Sequence, residues 1–325
     1  MYTVVHVGYN ALTPEMTTDY DERSSLNGYR MVFSIAATLG AIILATVLGW
    51  TINDERRLFA ILGFALGVVA IIPPLIVFRV THERPSAELP PALPARQAIS
   101  ATLRNRAFRW VMGLYLASWT AANILAAVLV YFASYYLRVP EQSTYFVLAA
   151  EGSAILFIPL VVWLARKLDK RRAFILGMLS WIVVFLGIFG LRADQVALAY
   201  ALAIFSGVGI AATFVIPWAM VPDVVEIDQL ETGQRREGSF YAFAAFFQKL
   251  ATGGALWAMG MALAWSGYIA SGAAAAVVQP PQAITAIRAF ASLVPAGLAV
   301  LAIFCAWKYP ITRASHQAVL EQLDL

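Results

Sequence analysis

Apolar residues along this chain come in long runs, not in the short periodic patches of a water-soluble fold. Eight runs are long enough to cross a bilayer as helices, at 28–50, 58–80, 108–136, 143–165, 173–191, 195–220, 238–266 and 288–308. Short connections carrying charge, Pro or Gly separate them. A further run, "MYTVVHVGYNAL" at residues 1–12, covers roughly 18 Å against a ~30 Å hydrocarbon core. It has no basic region before it and no small-x-small cleavage site after it, so it does not read as a signal peptide. The pattern predicts an all-α, polytopic helical membrane protein.

One connection is longer. Around "ERPSAELPPALPARQ" the proline content predicts an extended linker at 81–107, dividing a bundle within 1–80 from a second within 108–325. Lys and Arg set the expected orientation. Seventeen sit in alternate connections and the C-terminal tail, against five (Arg56, Arg57, Arg138, Arg192, Arg288) in the opposite connections. The positive-inside rule then places the linker, residues 13–27 and the C-terminus in the cytoplasm. By that parity residues 1–12 are the inner end of a helix whose outer part is absent.

Composition narrows the function. The chain has 325 residues, 61% hydrophobic and only 13% charged, with net charge +4 and mean hydropathy +0.72. Soluble domains run near ~25% charged. The basic residues act as topology signals, so no nucleic-acid partner is expected. The single Cys305 allows no internal disulfide, and His6, His82 and His316 are too few and scattered for haem or HExxH zinc ligation. No P-loop or GxSxG appears, which weighs against a pump driven by ATP or a hydrolase. No enzyme activity, resident metal or cofactor is expected.

Two junctions echo each other. Pro14-Glu15 is followed by Asp19, Asp21, Glu22, Arg23, Gly28 and an apolar run; Pro222-Asp223 by Glu226, Asp228, Glu231, Arg235, Arg236, Glu237, Gly238 and another. Six helices separate them with the same orientation, as in the two parallel six-helix halves of a major facilitator transporter. Six runs follow the linker and only two and a fraction precede it. Equal halves would therefore leave about three and a half helices missing at the N-terminus.

"FVIPWAMVPDVVEIDQLETGQRREGSFYAFAAFFQKLATGGA" (214–255) resembles the glycoside–pentoside–hexuronide:cation symporters, the melibiose permease-like family of the major facilitators. The opening "YNALTPEMTTDYDERSSLNGYRM" is similar to that family's fourth-helix exit, and "LARKLDKRRAFILGM" (164–178) to its basic loop between helices eight and nine. The resemblance implies secondary active symport of a sugar or glycoside, coupled to H+ or Na+, by alternating access. It implies a monomer in a bacterial inner membrane.

Candidate residues follow. Lys249 lies eleven residues beyond Gly238, where an insertion cost of at least ~2.5–3.5 kcal/mol calls for a cavity or a partner. Its face holds Ala242, Ala245, Thr252 and Gly253, small residues that leave room. The resemblance implies that it couples a cation site to a sugar site. Thr3 and His6 fall where the family pattern has a threonine and an aspartate. His6 departs from it, and is either a proton carrier or a packed ring in a helix interface. Arg30 matches the family's Y-R, and reads equally as a topology arginine. Tyr115, Trp119 and Asn123, spaced i, i+4, i+8, combine ring faces and an amide, the parts of a sugar site and also of ordinary packing. Glu151, about eight residues into its run, is set to pair with Lys249 or to line an outer vestibule. Glu15, Asp19, Arg23, Asp223, Arg235, Arg236 and Glu237 are expected at a cytoplasmic gate. Two alternatives accompany the sugar reading: a lysophospholipid substrate, and a non-transporting remnant.

Overall fold

In the computed structural model the described residues are 16, 20–52, 54–80, 95–233, 236–270, 278–313, 315 and 316. They form helices α1 (Tyr20–Gly49), α2 (Glu55–Val80), α3 (Ala95–Arg104), α4 (Arg106–Tyr131), α5 (Ser143–Leu168), α6 (Lys170–Gly190), α7 (Val196–Thr232), α8 (Glu237–Trp265), α9 (Pro281–Ala291) and α10 (Leu293–Lys308). Seven helical segments among these residues are long and apolar enough to cross a membrane, with α9 and α10 counting as one. All eight expected runs are helical, but α8 falls outside the seven. Its 29 residues carry Gln248, Lys249 and the Gly253-Gly254 pair at mid-length, and these dilute its apolar character.

Other boundaries move for local reasons. Residues 95–104 of the expected linker are a helix, because no proline follows Pro94 there. The proline-rich part lies outside the described residues. The run 195–220 continues as helix to Thr232, so the expected gate loop is the last third of α7. Pro217 and Pro222 sit inside it without ending it, buried against neighbours that hold the helix together. α4 ends in a π turn, Phe132–Tyr136, closed by Leu137 N–H to Phe132 O at 3.0 Å.

α7 is the centre of the bundle, and small residues put it there. A Cβ on Gly207 would lie 2.8 Å from the Ala154 backbone nitrogen of α5; one on Gly209 would strike the Trp181 ring of α6. The backbones therefore approach as closely as helices can. α4 packs on α10, α8 and α7, while α1 leans on α5 and α7. α2 is exposed over nearly all its length.

Candidate functional site

Along the middle of α4 and α7 and in the first half of α8 the sequence concentrates aromatic residues, and the fold brings them together. Trp119 donates its indole N–H to Thr252 Oγ1 at 2.9 Å, and that hydroxyl donates to Gln248 O at 3.1 Å. The Trp119 ring meets Phe214 at 5.0 Å and Tyr115 at 5.5 Å between centroids. Beneath it Trp218 donates to the Tyr115 hydroxyl at 3.2 Å and stacks on Tyr241, their planes 9° apart. The Arg30 guanidinium of α1 lies 5.0 Å over the Trp218 ring. Tyr115, Trp218 and Tyr241 are buried, whereas Trp119, Asn123, Phe214, Thr252 and Arg30 are half-buried. The result is a two-layer platform: a closed lower layer and an upper layer, Trp119 with Phe214, still accessible.

The expected stripe divides accordingly. Steps of four residues rotate by about 40° around a helix, so Tyr115 turns inward toward α7 while Trp119 and Asn123 remain at the edge. Asn123 donates to the Trp119 carbonyl at 2.8 Å, one turn back on its own helix. Lys249 is exposed, on the face of α8 with Ala242 and Gly253 and three residues from Thr252. Glu151 is half-buried on α5, beside Gly152 where α1 packs through Leu39. Among the described residues no ion pair joins it to Lys249, the first of the two placements expected for it.

A second cluster occupies the basic end of the bundle. Lys170, 1% exposed, places Nζ 2.9 and 2.8 Å from the two Asp223 oxygens and 2.9 Å from the Ala219 carbonyl. His316 Nε2 lies 2.5 Å from Glu226 Oε2 and 3.7 Å from Asp223 Oδ1. Arg236 forms an ion pair with Asp228 at 2.6 Å, which also accepts from Asn105 Nδ2 at 3.2 Å. Asn105 in turn caps α4, accepting from Phe108 N–H at 3.0 Å. The joint between α5 and α6 is the single residue Asp169, held at φ 100°, a conformation costing an L residue about 1–3 kcal/mol. Its carboxylate accepts from Arg313 N–H at 3.2 Å. Burial, and then the charges of Asp223 and Asp169, hold the Tyr309 phenol well above its ordinary range.

Asp223, Glu226 and His316 present donor atoms within 4.8 Å of one another. The Lys170 ammonium already sits on Asp223, in the place a cation would take, so the cluster reads as an internal ion-pair network. Of the expected gate residues, Asp223 and Arg236 belong to separate ion pairs. Glu237 opens α8. Thr3, His6, Glu15, Asp19 and Arg235 lie outside the described residues, as does the side chain of Arg23. Glu226 and Asp228 stand in the sequence only as acids of the echoed junction and His316 only as a scattered histidine, while the signal available for Lys170 is a basic residue after Asp169 at the start of an apolar run.

The comparisons agree with this helical membrane fold. The chain matches the family model "MFS/sugar transport protein" over residues 1–313. It is 32% identical to an uncharacterized symporter of Synechocystis sp., covering 99% of this chain and 74% of that protein. A sodium-dependent lysophosphatidylcholine symporter of Danio rerio is 25% identical over 100% of this chain and 67% of its own length. A putative glycoside/cation symporter of Escherichia coli is 27% identical over 99% and 70%. Among solved structures, an E. coli fucose:proton symporter superposes with TM-score 0.61 at 13% identity, covering 95% of this chain and 74% of that one. A bacterial homologue of the iron transporter ferroportin, outward-facing, gives 0.67 at 14% identity over 94% and 69%. A multi-pass helical membrane protein with this match is a transporter and not an enzyme: the chain belongs to the MFS/sugar transport protein family of major facilitator symporters.

Proposed function

We propose that the protein symports a sugar or glycoside with a cation, Na+ or H+, by alternating access. The observation that carries this is the Trp119–Thr252 hydrogen bond. It fixes an indole face at mid-bundle beside Phe214, with Asn123 next to it and Lys249 and Arg30 on the neighbouring helices. Sugars bind through apolar ring faces laid on aromatics, with amides and cations taking their hydroxyl and acidic groups. The lower layer of Tyr115, Trp218 and Tyr241 gives that face a rigid backing. Alternating access then requires the basic end to open and close, which its buried ion pairs make a two-state event. In this reading the basic end faces the cytoplasm of a bacterial inner membrane, and His6 is a candidate proton carrier.

A lysophospholipid is the second reading, favoured by the zebrafish relative that aligns over the whole chain. Counterflow in proteoliposomes separates the two. Vesicles preloaded with unlabelled substrate are expected to take up labelled galactoside or glucuronide, and Trp119→Ala to abolish uptake. Exchange of lysophosphatidylcholine with none of the sugars would overturn the sugar reading.

A further inference from the structure

Arg313 and His316 are tied to the bundle by specific contacts. His316 is 0% exposed, its backbone N–H donates to Thr312 O at 2.9 Å, and its Nε2 reaches Glu226 and Asp223 on α7. The same segment is pinned twice more at the α5–α6 joint: Arg313 N–H donates to Asp169, and the Arg313 guanidinium to the Arg166 carbonyl at 2.5 Å. Among the described residues Asp223 and Glu226 from α7 face the imidazole, and the other charged and titratable groups at this end are Lys170 from α6, Asp169 from the joint, and Tyr309 and Arg313 from its own segment.

We propose that His316, Glu226 and Asp223 form a proton-binding site that fastens Arg313 and His316 to the basic end of the bundle. The ligand is one proton, carried on the imidazole. When it is bound, the imidazolium donates Nε2–H to Glu226 as a charge-assisted bond, roughly twice as strong as its neutral counterpart. Its positive charge also offsets Asp223, which Lys170 holds from the other side. When the proton leaves, two buried carboxylates face a neutral ring and the fastening weakens. The segment is therefore held while the imidazole carries its proton and loosened once the proton is lost. Because Asp169 and Asp223 are both engaged, proton occupancy sets how firmly α7 is bound to the α5–α6 joint, the contact that alternating access has to strain. This inference does not depend on the substrate.

Hydrogen–deuterium exchange on the full chain in lipid nanodiscs tests it, with rates corrected for the intrinsic effect of pH. Protection of the Arg313 and His316 amides is expected to fall tenfold or more between pH 6 and pH 8.5, relative to amides in the middle of α7. His316→Gln should remove the pH dependence, and His316→Lys should retain protection at both pH values. Glu226→Gln, read in parallel, should flatten the profile even if His316→Gln folds poorly. Equal protection at pH 6 and 8.5 in the unsubstituted protein, or an unchanged pH dependence in His316→Gln, would overturn the proposal.

Discussion

Trp119 and Thr252 stand 133 residues apart in sequence, yet the indole N–H of one donates to the hydroxyl of the other at 2.9 Å. α4 and α8 are thereby joined at the ring on which the substrate reading depends. Thr252→Val keeps the shape and removes the acceptor, at a cost of about 1 kcal/mol. Uptake kinetics should show KM raised several-fold with kcat less affected, and Thr252→Ser should restore KM. Unchanged kinetics in Thr252→Val would mean that Phe214 and Tyr115 alone hold the indole.

Lys170 and Asp223 are both 1% exposed. Lys170→Met leaves a carboxylate buried beside Glu226, and breaking such a pair costs about 3–5 kcal/mol. Thermal unfolding in detergent should show a large drop in Tm, with Lys170→Met/Asp223→Asn recovering much of it. A double variant as unstable as the single one would mean that the loss comes from packing.

The central position of α7 rests on glycine. Gly207→Ala would force a methyl group to within 2.8 Å of the Ala154 backbone, and overpacking of this kind costs about 1–3 kcal/mol. Gly260→Ala on α8 meets nothing within 4 Å and should leave Tm unchanged or slightly raised. Equal Tm values for the two variants would contradict the close-packing argument.

Tyr309 supplies a pH dependence at the alkaline end. Its phenol is held above the ordinary range by burial and by Asp223 and Asp169. The native state therefore keeps a proton that the unfolded chain releases near pH ~10. Stability from this source is intact below that pH and is lost as pH rises beyond it. Tyr309→Phe should flatten the decline in Tm between about pH 9 and 11; an equally steep decline would show that Tyr309 does not contribute to it.

The helices were legible because a run of apolar residues has one dominant solution in a bilayer. Trp119 and Asn123 were legible from spacing. That Tyr115 turns inward was not, because the 3.6-residue period carries a four-residue stripe off its face. Asp223 stood out beside Pro222, but Lys170 resembled any other charge in a basic loop. Nothing along the chain indicates that His316 lies 90 residues beyond the carboxylate it meets. Pairings of that kind are set by helix packing and are invisible until α7 is placed between α5 and α6.

Gradient-driven accumulation is the most direct test of cation-coupled sugar symport. Proteoliposomes holding the full chain, given an inward Na+ or proton gradient, should concentrate a labelled galactoside or glucuronide above the external level. An ionophore that collapses the gradient should release it, and Trp119→Ala vesicles should not accumulate it. Uptake that only equilibrates, unaffected by either gradient, would contradict coupling, and no sugar uptake under any gradient would contradict the account as a whole.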